Sequence, residues 1–483
     1  MTRPGYNDFA RLAKKDRVIA VTSEIPSDRI TPVDAFYAVG ASYLLESAEQ
    51  GLTVGRYSFL GIEPLLSMHI EGQRCIIREN QTEKVFERKD PLKKVLEILK
   101  SRPFYGFGQL SPFPGGAVGY VGYDYVAHWE NIHSEGSKTE SSLPDALFMI
   151  TRYNLIFDHL MHTLKIVCNV HISGDPRSEY NDAVKGINRI ISQLEQKQTI
   201  SGTLRIGPIK SAYSKKKFCK DVETVKSLIS EGEAIQVVLS QQLYADYEGD
   251  PFRIFRKLRS INPSPYMFYI DFGDIILLGA SPEVMVKAEN GKVVLRPIAG
   301  TRPRGSSAEE DEALKKELLN DEKERAEHIM LVDLARNDLG RIAKAGSVQV
   351  ERFMEIEMYS HVMHIVSEVS ARIKEGVDII DILRATFPAG TVSGAPKVRA
   401  MQIIDRLEPA VRGPYGGLIG YMSYTGGFDS CITIRTMVLS ENRLHIQAGA
   451  GIVFDSIPEN EYQETLNKAG ALLSAIDKEG TAL

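Results

Sequence analysis

The segment LNDEKERAEHIMLVDLARNDLGR, residues 319–341, combines a helical pattern of apolar residues with a pair of acidic side chains. Its periodicity predicts one amphipathic helix of about six turns at 3.6 residues per turn. The side chains expected to face a core are Ile329, Val332, Leu334 and Ala335. Glu324, Glu327, His328 and Leu331 share another stripe, because residues three and four apart lie on the same helix face. An isolated pair of glutamates with this spacing is usually solvated, so the pair alone predicts no function.

A second acidic pair, Glu461 and Glu464, lies on another predicted helix, residues 458–476. Taken alone, this pair also fits a solvated face, on which a glutamate and Lys468 form a weak ion pair. Together, four carboxylates on two helices could converge on one hard cation. All-carboxylate ligation suits Mg²⁺, which keeps waters and often binds an anionic substrate as well. A di-iron site is disfavoured, since it requires a Glu-x-x-His from each of two helices in a helical bundle.

Several features away from these helices could bind an anion. One glycine-containing segment, residues 298–301, is predicted to follow a strand, and another, residues 448–451, to interrupt one. Glycine allows a ligand close to the backbone, whose amide groups can hold an anion, although a β-bulge or tight turn is the alternative. Arg435 is predicted in the middle of an apolar strand, where its charge requires an anion or a carboxylate. His364 is either a core histidine or an acid/base group, and Thr391 could donate a hydrogen bond.

The composition is that of an ordinary globular protein, with 483 residues, 43% hydrophobic and 25% charged. The net charge is -5 and no Lys/Arg cluster is present, so no nucleic acid is expected to bind. The N-terminus has no apolar leader, and no run of about 18 apolar residues predicts a membrane span. The four cysteines are far apart in sequence, which indicates reduced thiols in the cytoplasm.

Strands are predicted in runs and do not alternate strictly with helices. This pattern predicts an α+β fold with mainly antiparallel sheets. Residues 197–214 are polar, contain Gly, Ser and Pro, and show no clear period. We therefore predict an N-terminal domain at 1–196, a linker at 197–214 and a C-terminal domain at 215–483.

Nine motifs resemble those of the chorismate-utilising enzymes, and in particular component I of anthranilate synthase, over residues 9–478. They are SPE (281–283), LRPIAGTRPRG (295–305), ERAEHIMLVDLARNDLGR (324–341), YSHVMH (359–364), FPAGTVSGAPKVRAM (387–401), GPYGGLIGY (413–421), TIRT (433–436), AGAGIV (448–453) and ENEYQETLNKA (459–469). The resemblance implies an N-terminal α/β regulatory region and a C-terminal catalytic domain that binds chorismate, with an antiparallel β-sandwich core and flanking helices.

The resemblance also implies roles for individual residues. Glu327 and Glu464 would ligate Mg²⁺, with Glu324 and Glu461 nearby, and the metal would bind the ring carboxylate. The residues implied in substrate binding are Gly300, Thr301, Tyr415, Arg435, Gly449, Ala450, Gly451 and Lys468. Those implied in catalysis are His364, beside the departing C4 hydroxyl, Thr391, and Glu283 of the SPE motif. Ammonia would attack C2, and loss of the hydroxyl and of pyruvate would give anthranilate.

Ala299 narrows the choice within the family. Relatives that make isochorismate or salicylate, and the usual aminodeoxychorismate synthase, place a lysine at this position. A lysine there can activate water or attack the ring, whereas an alanine requires a nucleophile from outside, as ammonia would be. No nucleophilic cysteine in a glycine-rich elbow is present, so a separate glutamine amidotransferase subunit is expected to supply ammonia. The resemblance implies that this subunit is component II and that the assembly is a heterotetramer.

The N-terminal half resembles a tryptophan feedback site. The residues implied in binding this inhibitor are Leu45, Glu46, Ser47, Pro265, Tyr266, Met267, Ile419 and Tyr421. Two alternatives stay open: component I of aminodeoxychorismate synthase, and a regulator that binds tryptophan without catalysis. The four glutamates together with His364, Arg435 and Lys468 argue against the second.

Overall fold

The computed structural model describes residues 2–47, 55–79, 82–108, 110–132, 143–196, 202–359 and 362–476. Its α-helices are α1 (Tyr6–Leu12), α2 (Pro32–Val39), α3 (Lys93–Ser101), α4 (Pro176–Leu194), α5 (Lys215–Ser230), α6 (Phe252–Ile261), α7 (Ala308–Asn320), α8 (Glu322–Gly340), α9 (Ile379–Thr386), α10 (Lys397–Leu407) and α11 (Pro458–Ile476). Short 3₁₀ turns lie at Tyr123–His128 and Gly390–Val392. Within the described ranges, no helix has the length and apolarity needed to cross a membrane.

The strands of the N-terminal half are β1 (Val18–Pro26), β2 (Tyr43–Glu46), β3 (Tyr57–Glu71), β4 (Arg74–Glu79), β5 (Thr82–Glu87), β6 (Phe104–Tyr105), β7 (Gly116–Val121), β8 (Ala146–Asp158) and β9 (Thr163–His171). The later strands are β10 (Leu204–Ile206), β11 (Lys210–Ser211), β12 (Gln236–Gly249), β13 (Tyr266–Asp271), β14 (Ile275–Ser281), β15 (Val284–Glu289), β16 (Lys292–Leu295), β17 (Ile298–Pro303), β18 (Gln349–Met358), β19 (Val362–Arg372), β20 (Gly394–Ala395), β21 (Leu418–Ser423), β22 (Phe428–Ile432), β23 (Thr436–Ser440) and β24 (Arg443–Ile452).

Two antiparallel runs of strands start from β3. The first is β3-β2-β13-β14-β23-β24-β12. The second is β3-β8-β7-β21-β22-β15-β16-β19, with β17 and β18 both paired to β19. A parallel pairing occurs between β1 and β6 at the N-terminal edge. The prediction of an α+β fold with mainly antiparallel sheets is thus confirmed.

The two runs pack face to face as a β-sandwich. Between them lies an apolar cluster that includes Phe268, Leu277 and Val438 from the first run and Tyr120 and Ile419 from the second. Alternate residues on these strands point outward, and helices cover many of them. Helices α2, α4, α6 and α11 contribute to the apolar cluster on the first run, and α3, α8 and α9 to that on the second. Helices α8 and α11, which carry the acidic pairs, therefore belong to opposite layers.

The N-terminal and C-terminal parts of the chain share these sheets. Strand β2 pairs with β13, where Leu45 lies opposite Phe268, and β7 pairs with β21, where Gly119 lies opposite Gly420. Within the predicted linker, residues 197–201 lie outside the described residues, and β10 and β11 pair with β12. The division into domains at 1–196 and 215–483 stays a prediction.

The single helix predicted at 319–341 is wrong at its N-terminal end. Helix α7 ends at Asn320, and Asp321 has an extended backbone and caps α8 by accepting hydrogen bonds from the amides of Lys323 and Glu324. An aspartate competes in this way with continuation of a helix. Ile329 is 42% exposed and does not face the core. His328 is buried instead, 2.6 Å from the hydroxyl of Ser367, and burial lowers its pKa to about 4.

Replacing a glycine by alanine at position 119 or 470 tests how closely the backbone is packed at each position. A Cβ at Gly119 would lie 1.9 Å from the carbonyl oxygen of Leu147, so we expect Gly119→Ala to lower the free energy of unfolding by about 1–3 kcal/mol. At Gly470, inside α11, a Cβ meets nothing within 4 Å, and Gly470→Ala should raise that energy by about 0.5–1 kcal/mol. Urea unfolding monitored by circular dichroism measures both. Equal midpoints for the two variants would contradict this packing.

Candidate active site

A cavity of about 590 Å³ lies where α8 and α11 meet the ends of β12, β17, β19 and β24. It brings together most of the residues predicted to bind metal and substrate or to act in catalysis. Those lining it are Glu283, Gly300, Thr301, Glu324, Glu327, His364, Thr391, Tyr415, Arg435, Gly449, Gly451, Glu461, Glu464 and Lys468. Residues distant in sequence therefore share one concave surface, as a ligand site requires.

Ala450 is the predicted substrate residue whose side chain does not reach this cavity. Residues 448–451 do not interrupt a strand, as predicted, but form part of β24, where Ala450 pairs with Leu239 and its methyl group is buried in the core. The neighbouring glycines point to the other face of the strand. A Cβ at Gly449 would lie 2.7 Å from the Tyr415 hydroxyl, and one at Gly451 would lie 2.6 Å from the Gln236 amide nitrogen. At Gly449 the carbonyl oxygen of Leu239 is also within 2.9 Å of that position, so a side chain there would displace Tyr415 or the backbone, whereas one at Gly451 would displace only the end of Gln236.

The acidic wall of the cavity is built by two helices. Burial, followed by the charge of Glu327, raises the pKa of Glu324. Burial also raises the pKa of Glu461, with a further contribution from Glu464. Two cations partly balance these groups: Arg302 on β17 lies 3.3 Å from Glu324, and Lys468 lies 2.7 Å from Glu464. Both shifts mean that the charged forms of Glu324 and Glu461 are energetically unfavourable in this cavity.

The oxygen ligands on this wall suit a Mg²⁺ ion that also keeps waters and binds a substrate. All four groups are carboxylates, the oxygen ligands that this ion prefers. In the part of the chain that the structure describes, no three His, Cys, Asp or Glu side chains form a compact metal cage. Mg²⁺ usually keeps several waters and binds through one or two carboxylates plus the substrate. The glutamates fit that mode of binding and do not form a closed structural site.

Arg435 forms the basic side of the cavity. It was predicted in mid-strand but lies in the tight turn between β22 and β23, with a φ of 51°. This left-handed conformation is uncommon for a residue other than glycine and marks local strain. Burial lowers the pKa of Arg435 without removing its charge at neutral pH. Among the described residues its guanidinium has no hydrogen-bond or ion-pair partner, which suits a site for an anionic ligand.

His364 is held by residues 300 and 301. The register between β17 and β19 shifts between Ala299 and Thr301, so Gly300, with a φ of 74°, forms a β-bulge. The Nδ1 atom of His364 lies 3.2 Å from the Gly300 carbonyl oxygen and 3.0 Å from the Thr301 hydroxyl. The carbonyl can only accept, so Nδ1 carries the proton and Nε2 is the acceptor. Burial lowers the pKa of His364, which keeps the ring neutral.

Glu283 lies on the cavity wall between β14 and β15. The Thr391 hydroxyl donates to its Oε1 at 2.9 Å. Burial raises the pKa of Glu283 to about 7, although the hydrogen bond from Thr391 and the charge of Lys468 both lower it. A carboxyl group with such a pKa can hold or release a proton near neutral pH, which suits a general acid or base.

Sequence reasoning missed Gln236 and Gln447, which also line the cavity. The amide nitrogen of Gln236 lies 3.4 Å from Glu327, and that of Gln447 donates to the Ser240 hydroxyl at 2.8 Å. Gln236 is buried at the first position of β12, directly before the apolar residues Val237, Val238 and Leu239. Buried amides are uncommon, so this position within IQVVLSQQL was the signal in the sequence.

The residues predicted to bind tryptophan lie around β2, β13 and β21, away from the cavity. Leu45 and Glu46 belong to strand β2, and Ser47 directly follows it. Leu45, Tyr266, Ile419 and Tyr421 belong to the cluster between the two runs of strands. Met267 packs on the opposite face of β13 and pairs with Glu46.

Polar groups at this second location are buried. Burial raises the pKa of Glu46, whose carboxylate lies 2.6 Å from Arg259 on α6. The Ser47 hydroxyl is buried and has no hydrogen-bond partner among the described residues. Pro265 is buried at the start of β13. Residues 48–54, which follow Ser47, lie outside the described residues, and the inhibitor site stays a prediction.

The raised pKa of Glu283 makes stability depend on pH. Between its ordinary pKa of 4.5 and about 7, the native carboxyl keeps a proton that the unfolded chain releases, so native stability falls as pH rises through this window. A glutamine does not titrate, so Glu283→Gln escapes this loss. At 1.36 kcal/mol per pKa unit, its free energy of unfolding relative to that of the unsubstituted protein should rise by about 3 kcal/mol between pH 4.5 and pH 8. Denaturant unfolding across this range measures the gain. Glu322→Gln, an exposed change on α8, is the control, and a gain no larger than that of the control would refute the shifted pKa.

Comparisons with known proteins agree with this geometry. Residues 40–474 match the family model described as chorismate binding enzyme. Anthranilate synthase component 1 of Acetivibrio thermocellus is 46% identical over 492 residues, 99% of each chain, and that of Aquifex aeolicus is 44% identical over 479 residues, 97% of each chain. The crystal structure of anthranilate synthase component I from Streptococcus pneumoniae has a TM-score of 0.76 and 38% identity, covering 93% of this chain and 98% of that one. An isochorismate synthase from Escherichia coli, 18% identical with a TM-score of 0.72 and 98% coverage of both chains, shares the fold. The chain belongs to the family of chorismate-binding enzymes, in the anthranilate synthase component I branch.

Proposed function

We propose that this chain converts chorismate and ammonia into anthranilate and pyruvate. The observation that carries the proposal is the separation of charge in the cavity. Carboxylates lie on α8 and α11, and the turn after β22 holds Arg435, which has no ion-pair partner among the described residues. A dicarboxylate can place one carboxylate on a cation held by the acidic wall and the other on the arginine. The full-length relatives named anthranilate synthase component 1 support this choice within the family.

The acidic helices would hold the cofactor. Glu327 and Glu464 would ligate Mg²⁺, with Glu324 and Glu461 binding it or its waters. When bound, Mg²⁺ neutralises the ring carboxylate and withdraws electron density from the ring, which eases attack by a nucleophile.

The opposite wall would orient the enolpyruvyl group. Arg435 offers a planar fork of donors that matches a carboxylate. Lys468 donates to the Gly449 carbonyl at 3.1 Å and pairs with Glu464, which places its charge between the two walls. Burial raises the pKa of Tyr415 to about 12, so its hydroxyl stays a hydrogen-bond donor at neutral pH.

Ala299 decides where the nucleophile comes from. Its methyl group lines the cavity on β17, beside the Gly300 bulge. A methyl group can neither activate water nor attack the ring, so ammonia must enter and add to C2. The nitrogen forms its bond to C2 as the C4–O bond breaks, and the hydroxyl leaves as water. Loss of the C2 proton and cleavage of the C3–O bond then release pyruvate and leave the aromatic ring.

Glu283 would supply the proton that the C4 hydroxyl needs, and the proton lost from nitrogen would restore it. Its pKa of about 7 leaves a protonated fraction at neutral pH. His364, expected to assist this departure, is neutral with its proton on Nδ1, so its Nε2 can accept a hydrogen bond or a proton. We therefore assign Glu283 as the acid and His364 as the group that orients the substrate or accepts a proton.

We also propose a partner subunit and a cytoplasmic location for this chain. The four cysteines are free thiols in strands or helices, at Cys75, Cys168, Cys219 and Cys431, and none lies in a glycine-rich turn suited to a glutaminase nucleophile. A glutamine amidotransferase subunit would therefore deliver ammonia, in a heterotetramer. Free thiols suit the reducing cytoplasm, which we propose as the site of action.

Product analysis tests the activity. With chorismate, Mg²⁺ and ammonium at alkaline pH, we expect anthranilate fluorescence to rise and pyruvate to accumulate equally. Glu327→Gln should lower the rate by about 100-fold, because it removes a proposed metal ligand. Glu322→Gln, exposed on the same helix, should leave the rate unchanged. A non-fluorescent amino-chorismate would indicate aminodeoxychorismate synthase, and tight tryptophan binding without turnover would indicate a regulator.

Feedback inhibition by tryptophan is a further part of the proposal. The predicted site connects to the cavity through β14, which follows β13 and ends at Ser281, two residues before Glu283. Replacing Ser47 by phenylalanine should preserve ammonia-dependent turnover, because Ser47 does not line the cavity. The same change should raise the tryptophan concentration for half-inhibition by about tenfold or more, through a clash in the pocket. Inhibition curves for both proteins measure this, and superimposable curves would remove Ser47 from the site.

A further inference from the structure

Glu408 and Arg412 form an ion pair inside the protein, where their side chains are 2% and 1% exposed. Glu408 follows the last turn of α10, and Arg412 lies in the loop before Tyr415. The guanidinium donates to both carboxylate oxygens, from Nε at 2.9 Å and from Nη2 at 2.6 Å. Taking two charges out of water is unfavourable unless their remaining hydrogen-bonding groups are also satisfied. The other partners of this pair therefore show what it holds in place.

The remaining donors of Arg412 reach two separate segments of the cavity wall. Nη1 donates to the Val392 carbonyl at 2.6 Å, next to Thr391. Nη2 donates to the Val238 carbonyl on β12 at 2.8 Å. The guanidinium also lies 5.5 Å from the centre of the Tyr415 ring, within range of a cation–π contact. One side chain thus joins three segments that line the cavity.

Glu408 extends the same network to a fourth segment. Its Oε1 accepts hydrogen bonds from the amide and the hydroxyl of Ser240, both at 2.8 Å. The Ser240 hydroxyl in turn accepts from the Gln447 side chain on β24 at 2.8 Å. Gln447 lines the cavity, whereas neither Glu408 nor Arg412 does.

We propose that Glu408 and Arg412 are positioning residues, which fix the substrate cavity by clamping the Thr391 segment, β12 and Tyr415 together. The inference rests on the proposed function, since it concerns the geometry needed for that reaction. Thr391 is the most sensitive of these groups, because its hydroxyl must reach the Glu283 carboxylate at 2.9 Å. A small displacement of a group that positions a catalytic residue can cost a large factor in rate.

The conservative change Arg412→Lys keeps the charge but removes the fork. A lysine ammonium is a compact charge that cannot span the carboxylate and both carbonyls. We expect kcat to fall about tenfold or more, with KM for chorismate changed less than about threefold. The control Arg56→Lys alters another forked pair, with Asp158 at 2.7 Å, whose residues do not line the cavity, and it should leave kcat unchanged. An Arg412→Lys enzyme with the kcat of the unsubstituted protein would overturn the proposal.

A double-mutant cycle separates positioning from a general loss of stability. If Arg412 acts through Thr391, the effect of Arg412→Lys on kcat should shrink to less than about threefold in a Thr391→Val background. Independent, multiplicative losses in kcat would contradict the clamp. If Arg412→Lys does not fold, Ser240→Ala removes the hydroxyl that links Glu408 to Gln447, and it should lower kcat about threefold with KM unchanged. A normal kcat in that variant would also contradict the proposal.

Amide hydrogen exchange tests the clamp without reference to the reaction. The amide of Val238 donates to the Ser393 carbonyl at 2.9 Å, so the two clamped segments protect one another. Arg412→Lys should speed exchange about tenfold in peptides covering 236–240 and 390–396, and Arg56→Lys should not. Unchanged exchange would overturn the clamp even if the unsubstituted protein forms anthranilate. If no anthranilate forms, the proposed function fails while this measurement still decides the structural inference.

Discussion

The gathering of like charges in one cavity is the constraint on which the site depends. Four glutamates from α8 and α11 face a shared space, and burial raises the pKa of Glu324 and of Glu461. Such an arrangement is unfavourable unless cations balance it. Arg302 and Lys468 supply part of that balance within the chain. In the proposed function a divalent cation supplies the rest and also binds one carboxylate of the substrate, whose second carboxylate matches Arg435.

The sandwich explains how helices distant in sequence come to share this space. Helix α11 covers one run of strands and α8 covers the other, and the two approach each other where the strands end. The strands add backbone surfaces at which side chains are absent, at Gly300, Gly449 and Gly451. A rigid scaffold of this kind can hold catalytic groups more precisely than flexible loops. The pair Glu408–Arg412 ties that scaffold to the short segment carrying Thr391.

Much of the fold and of the site could be predicted from residue patterns. Runs of strands indicated antiparallel sheets. The resemblance identified most of the acidic, basic and glycine residues that line the cavity. Three predictions about local structure were wrong, each because of a feature at the position itself. Asp321 ends one helix and caps the next, which periodicity alone does not reveal. Arg435 adopts a left-handed turn that its apolar neighbours disguise, and Ala450 alternates to the far face of a strand that its glycines suggested was broken. Gln447 and the Glu408–Arg412 pair depend on contacts across the fold, which no local pattern contains, whereas Gln236 lies beside an apolar run in the sequence.

A crystal structure with Mg²⁺ and chorismate, prepared without ammonia, tests the central claim most directly. The account predicts chorismate in the cavity between α8 and α11, with a metal ion between Glu327 and Glu464 that also contacts the ring carboxylate. The enolpyruvyl carboxylate should lie on Arg435, and Ala299 should face the ring. Chorismate bound elsewhere, or bound here with its carboxylates turned away from both the metal and Arg435, would contradict the account.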